Sequence, residues 1–183
     1  MLPAGAHIPN RCTRDDRQKL HIVYSGNMND RIDWALLKKL GEVTLPVRIH
    51  LVGSCQDAQA EMIDILKSER FVYHGPRREK DLLRLLCKSD IAVLPHLADD
   101  CSEFMNPIKV SMFACLGLPC ISTRIAGVDF SRAGVLEAAT HDEFVRILTE
   151  TGAEILKKNM PVRTLKQVGD FSKYIALINE MMP

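Results

Sequence analysis

The sequence predicts an α/β fold: a parallel sheet with helices on both faces and a helix at the C-terminal end. Two observations predict it. Short β-rich runs recur along the chain, at 19–25, 46–52, 71–74, 89–94 and 118–123. Between them lie segments of about ten residues with apolar positions at helical spacing, which is the βαβ signature and implies right-handed crossovers. A length of 183 residues suits one domain with a real core.

Taken in order, residues 1–18 are polar and broken by Pro3, Gly5 and Pro9, so they read as a linker or arm preceding a single domain over 19–183. Lys19–Ser25 is the first strand, closed by Gly26. Arg31–Leu40 places Ile32, Leu36, Leu37 and Leu40 on one helical face and stops at Gly41. Pro46–Val52 is the second strand, ended by Gly53. Gln56–Lys67 is a helix with Met62, Ile65 and Leu66 inward. Phe71–His74 is the third strand, closed by Gly75 and Pro76, and Arg78–Lys88 is a helix turning Leu82, Leu85 and Leu86 inward.

The next segment, Ser89–Thr123, reads as strand, acidic loop, helix and strand. Asn106 is suited to cap the helix, Pro107 to occupy its first position, and Gly117 to end it. Lys109, the sole cation between Lys88 and Arg124, falls near the N-terminus of a helix that begins just after a strand ends. In an open α/β sheet ligands bind outside the carboxyl ends of the strands. A helix N-terminus with a lysine beside it attracts anions, so this segment reads as a phosphate site. Beyond it, Val135–Ala139 is a last strand and His141–Thr149 a helix capped by Thr140 or Asp142. Glu150–Asn159 is a possible continuation that Pro161 interrupts, and Leu165–Met182 is a terminal helix.

Composition excludes several classes. A net charge of +1 gives no bulk attraction to nucleic acid or membranes. The six cysteines contain no C-x-x-C pair, and several lie in apolar runs, which fits reduced thiols in a cytoplasmic protein. No run reaches the roughly 20 apolar residues that span a bilayer. No D-x-D, H-x-x-H or paired-cysteine spacing offers a metal site. The turn Ser25-Gly26-Asn27-Met28-Asn29-Asp30-Arg31 carries one glycine, so it is neither a dinucleotide fingerprint nor a P-loop. Its glycine still allows close approach to a phosphate, and Asn27 and Arg31 stand beside it. Asp30 and Arg31 are placed to pair with each other or to cap the helix, and Arg31 alternatively to reach phosphate.

Three separated segments then carry a resemblance. Met105–Ser122, MNPIKVSMFACLGLPCIS, resembles the donor-binding stretch of GT-B glycosyltransferases, in particular bacterial enzymes of the family 4 and glucuronosyltransferase type. Met105, Asn106, Pro107, Lys109, Ala114, Gly117, Pro119 and Ser122 carry it. Tyr24–Asp33 resembles the first strand and glycine turn of the same family, and Val72–Pro95 its central part. The resemblance implies a Rossmann-like domain that is one half of a GT-B fold, the C-terminal donor-binding half. Residues 2–10, LPAGAHIPN, resemble the segment leading into that half, which implies an N-terminal acceptor-binding domain supplied in cis or in trans. The implied reaction moves a sugar from a nucleotide diphosphate sugar, such as a UDP-sugar, to a glycan or lipid-linked acceptor, as in polysaccharide biosynthesis. The resemblance also implies no metal and no cofactor. The expected place is the cytoplasm, with a peripheral seat at the inner face of the membrane open to the whole enzyme.

For the site, the resemblance implies that Gly26, Asn27, Arg31 and Lys109 hold the donor diphosphate. It places His74, Arg77, His96, Glu103, Met105, Asn106 and Met112 around the base, ribose and sugar. One departure matters. Many retaining members carry two glutamates separated by seven residues, and those positions fall on Phe104 and Met112. A thioether cannot accept two ribose hydroxyl hydrogen bonds as a carboxylate does. Glu103, one residue away, is the candidate substitute for the first acid. The loss leaves two readings: a donor domain inactive by itself, and a degenerate, non-catalytic interaction module on the same fold.

Overall fold

The computed structural model describes residues 18–97, 108–124 and 135–158. Residues 1–17 of the arm expected over 1–18, the terminal helix expected over 165–182, and residues 98–107 with the acids of the loop, Asn106 and Pro107 lie outside them.

Six strands form one sheet: β1 (Leu20–Ser25), β2 (Val47–Val52), β3 (Phe71–Gly75), β4 (Ile91–Leu94), β5 (Cys120–Thr123) and β6 (Val135–Ala138). Their spatial order is β3-β2-β1-β4-β5-β6, and every pairing is parallel. Among the described residues five helices accompany them: α1 (Trp34–Leu40), α2 (Gln59–Ile65), α3 (Glu79–Lys88), α4 (Ile108–Cys115) and α5 (His141–Lys158). This is the expected Rossmann-like sheet, and α5 is its last described helix.

Parallel strands buried on both faces explain the near-continuous apolar runs in the sequence. Alternation along β1 sends Leu20, Ile22 and Tyr24 into one cluster with α1, α2 and α5, and Val23 into the other, with Leu83 and Leu86 of α3 and Phe113 of α4. Order reverses between β1 and β4. There the chain leaves one strand toward each side of the sheet, which opens a crevice at their carboxyl ends.

The local signals account for most boundaries. Gly117 adopts φ 60°, and the Leu118 N–H reaches the Phe113 carbonyl at 2.8 Å while Gly117 N–H reaches Ala114 at 2.9 Å. That is a Schellman end, which needs a left-handed residue. Thr140 caps α5: its Oγ1 accepts from Glu143 N–H at 3.1 Å, while the Glu143 carboxylate accepts from Ala139 N–H at 2.8 Å.

Three readings change. The first helix begins at Trp34 rather than Arg31, because Asp33 caps it by accepting from Leu36 N–H at 2.8 Å. Ile32 instead makes an antiparallel bridge with His96. Capping by Asp30 or Arg31 is therefore overturned. In α2, Met62 and Ile65 are buried, but Leu66 is 38% exposed at the helix end. In α3, Leu83, Leu86 and Cys87 are buried, while Leu82 and Leu85 flank them half-buried. The continuation expected over Glu150–Asn159 is present: α5 runs unbroken through Glu150 to Lys158. Gly152 does not break it because that glycine faces the sheet: a Cβ there would stand 2.6 Å from Leu20 Cδ2 and 3.0 Å from Leu45 Cδ1.

Candidate functional site: a buried lysine against a glycine turn

Three glycines end three neighbouring strands. Gly26, Gly53 and Gly75 follow or close β1, β2 and β3, and their backbones are stitched together. Gly26 N–H donates to Val52 at 2.8 Å, Gly53 N–H to Gly75 at 3.1 Å, and Met28 N–H to Ser54 at 2.8 Å. Gly53, at φ 137°, lies so close to Gly26 that a Cβ on it would stand 2.6 Å from the Gly26 carbonyl carbon. The sequence marks Gly53 only as a strand end. Its second role, making room for the Gly26 turn, depends on β1 and β2 being neighbours in register.

Gly26 adopts φ 153°. A Cβ there would collide with Lys109 Nζ and lie 2.9 Å from Tyr24 Oη. Lys109 thus reaches from the first turns of α4, across the crevice between β4 and β1, onto the glycine turn. Its ammonium stands 5.9 Å from the centroid of the Tyr24 ring, a favourable cation–π distance. Tyr24 is fully buried, and its hydroxyl donates to the Asn27 carbonyl at 3.0 Å, which fixes the turn from below. Burial holds the Tyr24 hydroxyl far above its usual range. Beneath Tyr24 lies His96, buried, with ring centroids 6.0 Å apart.

Burial also lowers the pKa of Lys109. Among the described residues no carboxylate offsets that cost. A partly desolvated cation at the switch point, beside a backbone stripped of Cβ, is a place where an anion would relieve an existing penalty. Ser25 adds a polar group: its buried hydroxyl has no hydrogen-bond partner among the described residues.

The sequence-derived site residues divide into three sets. Gly26, Asn27 and Lys109 come together, and Asn27 also ties the turn to β2 by accepting from Ser54 Oγ at 2.9 Å. Arg31 is exposed on the far limb of the same turn; its N–H donates to Asn29 Oδ1 at 3.1 Å, and its carbonyl accepts from Leu97 N–H at 2.9 Å. His96 is buried beside Tyr24, and its N–H donates to Thr123 Oγ1 at 3.1 Å. His74 is half-buried at the end of β3 and bonded to His50, and Arg77 is exposed just after it. Met112 is half-buried one turn beyond Lys109, against the apolar cluster under α4. Glu103, Met105 and Asn106 lie outside the described residues.

Residues 19–157 match the family described as glycosyl transferases group 1. The chain belongs to that family. No curated protein sequence matches it. Among solved structures it is similar to the lipopolysaccharide outer core galactosyltransferase WaaB in its apo form, with a TM-score of 0.60 at 16% identity, over 96% of this chain and 51% of that one. It is similar to WaaG, a glycosyltransferase involved in lipopolysaccharide biosynthesis, with a TM-score of 0.58 at 14% identity, over 91% of this chain and 48% of that one. A third is Anabaena HepE in complex with UDP and glucose, with a TM-score of 0.58 at 13% identity, over 89% and 48% of the two chains. At these identities the likeness speaks for the fold, which is that of a GT-B glycosyltransferase domain. The chain spans about half the length of these proteins. Among the described residues no helix is long and apolar enough to cross a membrane.

Proposed function

We propose that this domain is the donor-binding half, the C-terminal one, of a glycosyltransferase, and that it holds the diphosphate of a nucleotide sugar between Lys109 and the Gly26 turn. One observation carries the reading: a half-buried lysine without a described counter-ion stands against a Cβ-less turn at the switch point of a parallel sheet. Membership of the glycosyl transferases group 1 family supports it. So does the UDP and glucose bound in the similar HepE structure, which favours a UDP-sugar.

In such a transfer the bond between the anomeric carbon and the diphosphate oxygen breaks, and its electron pair stays on that oxygen. Negative charge therefore grows on the diphosphate in the transition state. Lys109, with the Cβ-less Gly26 leaving room for close approach, would stabilise that growing charge more than the ground state, which is how binding becomes rate. The acceptor, a glycan or a lipid-linked saccharide of polysaccharide assembly, would approach from a second domain, in cis or in trans, on the cytoplasmic side. The chain by itself would bind donor and turn over poorly.

A second reading, a non-catalytic module, draws support from Met112, whose side chain joins the apolar packing where many family members place a ribose-binding glutamate. Calorimetric titration of UDP and GDP into the chain separates the two. Binding of one nucleotide, weakened at least tenfold by Lys109→Ala, supports the donor site; that loss is about 1.4 kcal/mol. No binding of either nucleotide at millimolar concentration refutes a donor site in this chain.

A further inference from the structure

Three histidines lie on three adjacent parallel strands. His21 Nδ1 is 2.9 Å from His50 Nε2, and His50 Nδ1 is 2.9 Å from His74 Nε2. The rings of His21 and His50 stack at 5.2 Å between centroids and 13° between planes; those of His50 and His74 also stand 5.2 Å apart. The register explains the diagonal. Val23 pairs with His50 and His50 with Val72, so His21, two residues before Val23, and His74, two after Val72, share one face.

His50 spends both ring nitrogens. A neutral imidazole has one N–H and one lone pair, so it must donate to one neighbour and accept from the other. The ladder therefore has a direction, and it can reverse only if all three tautomers change together. One added proton leaves both hydrogen bonds intact, whichever ring carries the charge. A second would set two N–H groups against each other and break a bond.

We propose that His21, His50 and His74 form a one-proton wire across β1, β2 and β3. A proton binds His74 Nδ1 at the half-exposed end. The His74 Nε2 proton passes to His50 Nδ1, and the His50 Nε2 proton passes to His21 Nδ1. Each N–H broken is matched by one formed, and the charge ends on His21. The surroundings favour that end. Arg48 of β2 and Arg77 after β3 oppose a cation on His50 and His74 respectively. Asp90, just before β4, brings its carboxylate to the His21 backbone N–H at 2.7 Å. α3, on this face of the sheet, contributes Leu82, Leu83 and Leu86 to the packing. Burial and the two flanking histidines push His50 down to about 3, which fits a central ring that passes charge on rather than holding it.

Long-range nitrogen–proton NMR of the ring nitrogens tests the wire on the intact chain and needs no nucleotide, so its outcome is separate from that of the donor reading. The expected result is a single step in which the tautomer signals of all three rings change together. Asp90→Asn leaves the backbone acceptor and the rings in place, and should move that step down by about one pH unit. His50→Phe should uncouple the ends, so that His21 and His74 each titrate with a midpoint of their own rather than in one shared step. Independent titration of the three rings in the unmodified chain overturns the proposal. So does a step that Asp90→Asn leaves unmoved.

Discussion

Replacing Lys109 with methionine removes the charge but keeps an unbranched stem of similar length, and it should separate stability from binding. The ammonium is partly desolvated and no described carboxylate pairs with it. Its folded pKa lies below that of the unfolded chain, so at neutral pH the folded state carries a penalty that fades only as pH rises through the folded pKa toward 10.5. Lys109→Met removes the penalty and fills the space over the Tyr24 ring with a thioether. The variant should therefore unfold at an equal or higher urea concentration than the parent at pH 7. Nucleotide binding should move the other way. Hydrogen bonds to a charged group contribute about 1.5–3 kcal/mol, so UDP should bind roughly 10- to 150-fold more weakly. Urea denaturation and calorimetric titration on the same preparations read both quantities. A variant that loses more than about 1 kcal/mol of stability while binding UDP unchanged would refute the reasoning, because Lys109 would then be a structural residue with its counter-ion elsewhere.

Four further outcomes follow from the same geometry. Gly26→Ala forces a Cβ into Lys109 Nζ at a φ of 153°, and should cost about 1–3 kcal/mol in urea denaturation and weaken UDP binding together. Gly152→Leu drives a side chain into Leu20 and Leu45 and should cost about 1–3 kcal/mol by the same method, without touching nucleotide affinity. Asp33 caps α1 through Oδ1 and meets His141 Nε2 at 2.6 Å through Oδ2, so Asp33→Ala should lose about 1–2 kcal/mol, read as a lower thermal midpoint. Because His50 and His74 resist protonation when folded, the unfolded chain takes up protons first as pH falls below 6.5; stability should drop between pH 6.5 and about 3, and His50→Phe should make that fall shallower in urea midpoints at pH 7 and 5.

The sequence by itself determined the alternation of strand and helix, since period-2 and period-3.6 patterns and the glycines that stop them are local properties. Gly41, Gly117 and Thr140 act where the sequence places them, because capping depends on a few consecutive residues. The pairing of the Gly26 turn with Lys109 was legible through the family likeness of two distant segments. The start of α1 was misplaced because the apolar spacing extends back to Ile32, which the structure instead uses in a bridge with His96, while the capping signal, Asp33, is local. The facing of α3 was not legible, because Leu82, Leu83, Leu85 and Leu86 offer two overlapping stripes, and the sheet settles which is buried. The close approach of Gly53 to Gly26, the burial of Lys109 and the histidine ladder also belong to tertiary structure. Each joins residues that are tens of positions apart in the chain. They meet only because strand order puts β2 between β1 and β3, and β4 on the other side of β1. Pattern in a sequence fixes which way a side chain turns within its own element, whereas contact between elements depends on register and order, which no local pattern encodes.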